Sequence, residues 1–169
     1  LSVSTVNGVI EDNDLDVDGD SLTVSAIRTG PESGTGTAGS VDGTTSGTYG
    51  TLTLNNDGSY TYVADQAAAD ALADGVSATD TFTYEVSDGK GGTDTAEIVI
   101  TVTGTNDAPV AVDDTGAVDE DATLSVSTVN GVIEDNDLDV DGDSLTVSAI
   151  RTGPESGTGT AGSVDGTTS

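Results

Sequence analysis

The sequence predicts an all-β fold: antiparallel β-sandwiches of about seven strands with one short helix, set in tandem. Three observations carry this. Apolar and polar residues alternate over short runs, the period of a half-buried strand. Glycine, aspartate and asparagine gather between those runs, where turns belong. Residues 1–46 recur unchanged as residues 124–169, so the period is 124 − 1 = 123 residues, the size of a whole domain.

Each element can be read in order through one period. Residues 111–118 (AVDDTGAV) read as a first strand. Residues 123–129 (TLSVSTV) read as a second, and its other copy runs from Leu1. In 21–29 (SLTVSAIRT) the alternation of Leu22, Val24 and Ala26 gives a third. Residues 48–64 form a hairpin, with Leu52 and Leu54 on one arm and Tyr60 and Tyr62 on the other. Asp57-Gly58 supplies the positive φ values of its turn. Residues 80–88 alternate Phe82, Tyr84 and Val86; residues 94–104 alternate Ala96, Ile98, Ile100 and Val102. Between the hairpin and these last strands, 65–75 (DQAAADALADG) reads as a helix with Asp65 as N-cap and Gly75 as stop. The glycine-rich stretch 30–47 is long for a loop and reads as a mobile excursion with a small hairpin at Asp42-Gly43. Seven strands with polar turns fit an immunoglobulin-like sandwich.

On this reading, residues 1–107 are one repeat lacking its first strand. Residues 108–169 are the first three strands of the next, and 104–110 is the linker. A natural tandem array is expected; joined copies of one gene are the alternative.

Composition excludes several function classes. Thirty-one acidic residues face only Arg28, Lys90 and Arg151, a net charge of −28. Nucleic acid and anionic membrane surfaces both demand the opposite sign. No apolar run approaches the length of a membrane helix. Cysteine and histidine are absent, so thiolate and imidazole metal sites are excluded, as are disulfides. A hydrolase working through paired carboxylates is a poor reading, because no conspicuous nucleophile accompanies them. The chain is read as not an enzyme.

Four motifs, in order along the period, resemble one family. "DNDLDVDGDSLTV" (12–24), "YGTLTLNNDGSYTY" (49–62), "DTFTYEVSDGKGGTDTAEIVITVTG" (80–104) and "GTNDAPVAVDD" (104–114) look like the bacterial cadherin-like repeat, also called the VCBS repeat. Such repeats build the extender regions of giant repeats-in-toxin-type adhesins. The resemblance implies a calcium-braced sandwich array, extracellular, on a bacterial cell surface. The glycine-rich nonapeptides that bind calcium in repeats-in-toxin β-rolls are not in this sequence.

The residues give their own reason to expect a cation. "DLDVDGD" sets Asp14, Asp16, Asp18 and Asp20 at two-residue spacing around Gly19, and Asp137, Asp139, Asp141 and Asp143 repeat it. Calcium takes about six to eight oxygens. The first half of the loop follows an EF-hand; the second does not, since Ser25 stands where a bidentate glutamate is needed. Further ligands must come from other loops. Topology brings Asp88 and Asp94 of 87–94 to the same end, where they also suit a plain hairpin turn. Asp65, Asp74 and Asp80 fall at the opposite end. The linker's Asn106, Asp107, Asp113 and Asp114 are expected to sit between these far-end carboxylates and the second acidic loop and to share cations with both, as in a cadherin-like junction, with Glu120 marking the matching turn. Asp42 and Asp70 read as solvent-facing, and Asp57 as a turn residue.

Two functions follow. The leading one is a structural extender: calcium stiffens loops and junctions, identical repeats of the same chain are the partners, and an adhesive tip is held out for surface attachment. The alternative is a calcium-dependent ligand- or glycan-binding module, for which Tyr49 is the one aromatic not obviously in the core.

Overall fold

The computed structural model describes residues 2–3, 8–10, 14–127, 131–133 and 136–164. They fall into two units, Leu1–Asn106 and Asp107–Ser169. Among the described residues no helix is long and apolar enough to cross a membrane.

The first unit is a two-sheet antiparallel sandwich. One sheet has the order β1-β5-β4-β3: β1 Ser2–Val3, β3 Gly43–Ser46, β4 Thr51–Leu54 and β5 Tyr60–Val63. The other has the order β2-β6-β7: β2 Thr23–Thr29, β6 Ser77–Ser87 and β7 Thr93–Thr103. Inward residues of both sheets meet in one core of Val24, Ile27, Leu52, Leu54, Tyr62, Phe82, Tyr84, Ile98 and Ile100. Leu52, Leu54 and Phe82 are fully buried. The Tyr62 and Phe82 rings meet edge to face across the sandwich, centroids 6.4 Å apart. Tyr49 also packs against this core, which removes it as a free aromatic.

The third expected strand departs from simple alternation. Val24 pairs with Val86, but Ala26 pairs with Glu85, so Ser25 is an extra residue. A bulge shifts the period by one. Ile27 is therefore buried and Ala26 exposed, opposite to the alternation read from Leu22, Val24 and Ala26.

The 55–59 turn closes with Gly58 N–H to Asn55 O at 3.0 Å and Asn55 N–H to Ser59 O at 2.9 Å. Only Gly58 takes the positive φ there, at 84°; Asp57 instead accepts from Ser59 N and Oγ.

The glycine-rich stretch 30–47 takes a defined course. Arg28 donates to the carbonyls of Pro31 and Glu32, and Ala38 returns to bridge Arg28. Asp42, at φ 59°, ends a tight turn into β3 and accepts from Asn56 N. It is exposed, as expected, and also braces its turn. The helix is shorter than expected: α1 spans Ala67–Asp70, with Gln66 at the N-cap position and no side-chain cap bond. Asp65 accepts from Thr51 Oγ1 and Gln66 Nε2, so its carboxylate is turned away from the helix.

The second unit has no named strand among its described residues. Residues 111–118, expected as a strand, run as irregular chain, as do 123–127; residues 128–129 lie outside the described set. A strand needs a neighbour for its ladder, and the described segments find only two isolated bridges, Val110 with Leu138 and Arg151 with Ala161.

Candidate metal centres

Loop 14–20 folds around a single carboxylate. Asp16 Oδ1 accepts from Asp18 N at 2.9 Å and Asp20 N at 3.0 Å. Gly19, at φ 79°, makes the bend. This loop meets two others at one end of the first unit. Val9 N–H reaches Gly58 O and Val24 N–H reaches Asn56 O, and Lys90 from the β6–β7 turn pairs with Asp20. Carboxylate oxygens of Asp16, Asp20 and Asp88 come within 4.8 Å of one another. The sequence reading brought these three together through topology.

The other expected ligands divide. Asp14 turns inward, and Tyr84 donates its hydroxyl to both Asp14 oxygens at 3.2 and 3.0 Å. Burial raises the Asp14 pKa; the Tyr84 hydrogen bond opposes this and the charge of Asp94 adds to it. Burial first, then Asp14, raises the pKa of the Tyr84 hydroxyl. Asp18 is exposed and lies outside the trio. Asp94 lines the same cleft as Asp14, Asp16 and Asp88, again outside the trio. Asp88 lies in the trio and braces its turn, accepting from Lys90 N at 2.7 Å and Gly92 N at 2.9 Å. The Lys90 N–H above all holds its carboxyl below the usual carboxylate range.

The second acidic loop repeats the fold of the first. Asp139 Oδ1 accepts from Asp141 N at 3.0 Å and Asp143 N at 3.2 Å, and Gly142 bends at φ 77°. Here the trio is Asp139, Asp141 and Asp143. Asp137 accepts from Val112 N at 2.8 Å, and Asp141 Oδ2 from Asp107 N at 2.7 Å. The linker thus meets this loop through backbone donors. Asp113, Asp114 and Glu120 are exposed, and no trio includes Asp107, Asp113, Asp114 or Glu120 among the described residues. Asn106 belongs to the first unit.

The donor set fits a hard cation. Asp141 Oδ1 and Asn136 Oδ1 are buried with no hydrogen-bond partner. A buried oxygen without a donor costs about 1–3 kcal/mol, and a cation removes that cost. Asp139, Asp141 and Asp143 would hold it in the second unit; Asp16, Asp20 and Asp88 would in the first. Oxygen-only ligands select calcium-type ions over softer metals.

The sequence reading missed three partners. Lys90 holds its ammonium on the first trio. Asn136 carries a buried oxygen with no hydrogen-bond partner. Asp80, placed with the far-end carboxylates, is buried and accepts from Thr48 N, Tyr49 N, Gly50 N and Tyr62 Oη. It is a structural acceptor with its bonding already satisfied.

Comparisons with known proteins agree with this architecture. Residues 106–169 match the bacterial Ig domain family. The calcium-binding lectin RapA2 of Rhizobium johnstonii is 38% identical over 93 residues, which is 54% of this chain and 37% of that protein. The chain thus spans little more than a third of that relative. No solved structure matches the chain. The bacterial cadherin-like domain family matches residues 2–104, the whole sandwich and its acidic loop. With that match covering more than half its length, the chain belongs to the bacterial cadherin-like domain family.

Proposed function

We propose that this chain is a structural repeat of an extracellular bacterial adhesin, rigidified by calcium at its acidic loops. One observation carries the reading. The same aspartate loop closes around its own carboxylate in both units, and the second copy leaves buried oxygens that only a cation or an absent donor can satisfy. Without an ion, clustered carboxylates repel and loosen the loop; with one, the loop and the backbone bonds from Asp107 and Val112 become a fixed strut. Neighbouring repeats are the partners, and their number sets the reach.

The test is a calcium titration by calorimetry on the full chain, with thermal scans in calcium and in chelator. Binding of at least one ion with a raised melting temperature is expected. Coinciding scans would overturn the reading.

A second reading rests on the lectin relative. A cleft of about 220 Å3 adjoins the first trio, lined by Leu15, Leu22, Thr93 and Thr95 as well as the acidic residues. A cation there could present open coordination positions to sugar hydroxyls. Glycan binding that needs both calcium and Asp20 would favour this over a purely mechanical role.

A further inference from the structure

We infer that residues 30–39 are a strap that closes the free edge of β2 and keeps identical repeats from pairing through it. β2 is the outermost strand of its sheet. Such an edge offers N–H and C=O groups to any matching strand. Residues 1–46 and 124–169 are identical, so the chain carries a matching strand within itself. In the first unit the edge is closed from within. Thr29 N–H donates to Thr37 O at 3.0 Å, Gly39 N–H to Ile27 O at 2.8 Å, and Val24 N–H to Asn56 O at 2.9 Å. The Thr29 hydroxyl also accepts from Thr37 N at 3.0 Å.

Three observations mark the strap as a dedicated element. The first is its anchor. In a chain with 31 acidic residues, neither Arg28 nor Arg151 forms an ion pair among the described residues. Arg28 donates instead to the carbonyls of Thr29, Pro31 and Glu32, and Arg151 to those of Pro154, Glu155 and Gly157. The second is a close approach. A Cβ on Gly36 would strike the carbonyl of Thr29, and one on Gly159 that of Thr152, so the returning leg reaches the strand only as glycine. The third is that closure is local. The second unit has no named strand among its described residues. Its strap nevertheless closes, with Thr152 N–H to Thr160 O at 3.0 Å and Gly162 N–H to Ile150 O at 2.8 Å. The Arg151–Ala161 bridge repeats Arg28–Ala38. A strap that needs only its neighbours in sequence can close before distant strands meet, while edges are most open to mispairing. None of these contacts uses the acidic trios, so the inference stands apart from the calcium reading.

The test opens both straps in the full chain, with Gly36→Val and Gly159→Val together. Hydrogen exchange at the Thr29 and Gly39 amides should quicken at least about tenfold at low protein concentration. Sedimentation should show self-association at least about tenfold tighter than in the parent. As concentration rises, Thr29 should regain protection, because its N–H finds the edge of another copy. Gly39 lies on the strap and should stay fast. Association without that split would overturn the proposal, as would unchanged association although Gly39 exchanges fast. Should the glycine variant also lose protection across β4 and β6, Arg28→Gln with Arg151→Gln takes its place. It removes the anchor and leaves the backbone unstrained, and the same split is expected. A Gly39 amide that stays as protected as in the parent, in either variant, overturns the proposal too, since the strap would then not open as a separate element.

Discussion

Tyr62 donates its hydroxyl to Asp80 Oδ2 at 2.7 Å, and this one buried carboxylate also receives the backbone N–H groups of Thr48, Tyr49 and Gly50. It ties β6 of one sheet to the turn entering β4 of the other. Gly47 and Gly50 allow the approach: a Cβ on Gly47 would strike Asp80, and one on Gly50 would strike the carbonyl of Val63. Burial first, then the hydrogen bond from Tyr62 to Asp80, raises the Tyr62 pKa, so the donor stays protonated.

Asp80→Ala should therefore destabilise the first unit by about 3 kcal/mol or more, because four donors lose their acceptor at about 1–3 kcal/mol for each left unsatisfied. Tyr62→Phe removes one donor and leaves the rest, so about 1 kcal/mol is expected. Urea unfolding of both variants checks the order. Equal losses would show that Asp80 acts through Tyr62 alone.

Asp80 also shows what was legible in the sequence. It sits two residues before Phe82, on the parity that carries Phe82, Tyr84 and Val86 inward. A carboxylate at an inward position of a strand announces a buried acceptor, and the signal was there to be read. Strands whose partners lie in the same unit were legible because alternation reports a buried face directly. The bulge at Ser25 was not, since an inserted residue looks like any other until its ladder is seen. Residues 111–118 failed as a strand for a related reason: pairing is a relation between two segments, and pattern describes only one. The acidic trio was legible as far as Asp16, Asp20 and Asp88. The inward turn of Asp14 depends on the Tyr84 hydroxyl reaching it, which no spacing rule encodes.

Asp57 should make stability pH-dependent in a defined direction. The Ser59 hydroxyl, then the Ser59 N–H, holds its pKa below the ordinary 3.8. The folded state thus favours the charged form. The unfolded chain binds the proton more readily, so the stabilisation is full above the ordinary value and is lost as pH falls through the lower folded value. Asp57→Ala should lower the melting temperature at neutral pH, and the gap from the parent should close in strong acid. Thermal scans of both proteins across that range decide it; a gap that stays constant would assign the effect to turn geometry alone.

Calcium should stabilise more than magnesium at equal concentration. Magnesium holds its water and demands stricter octahedral geometry, whereas these loops gather clustered carboxylate oxygens. At 100 times its Kd, a cation bound only by the folded state adds about 2.7 kcal/mol for each site. Asp20→Ala or Asp88→Ala should reduce the calcium-induced shift in melting temperature. Asp70→Ala, which removes an exposed charge outside both trios, should not. Equal losses from all three would show attraction by net charge rather than by a site.

Lys90 is the residue whose removal should strengthen cation binding. Its ammonium lies on Asp20, within the trio completed by Asp16 and Asp88. A divalent ion entering that trio competes with a charge the chain supplies itself. The Lys90 side chain is 68% exposed, so the pair is worth only about 0–1 kcal/mol. Lys90→Gln should then raise calcium affinity at the first loop by up to about fivefold, while slightly lowering the melting temperature in chelator. The effect should shrink as salt screens the pair. Calorimetry at low and high ionic strength measures both changes. A substitution that leaves affinity unchanged at low salt would show that the ammonium and the cation do not share the trio.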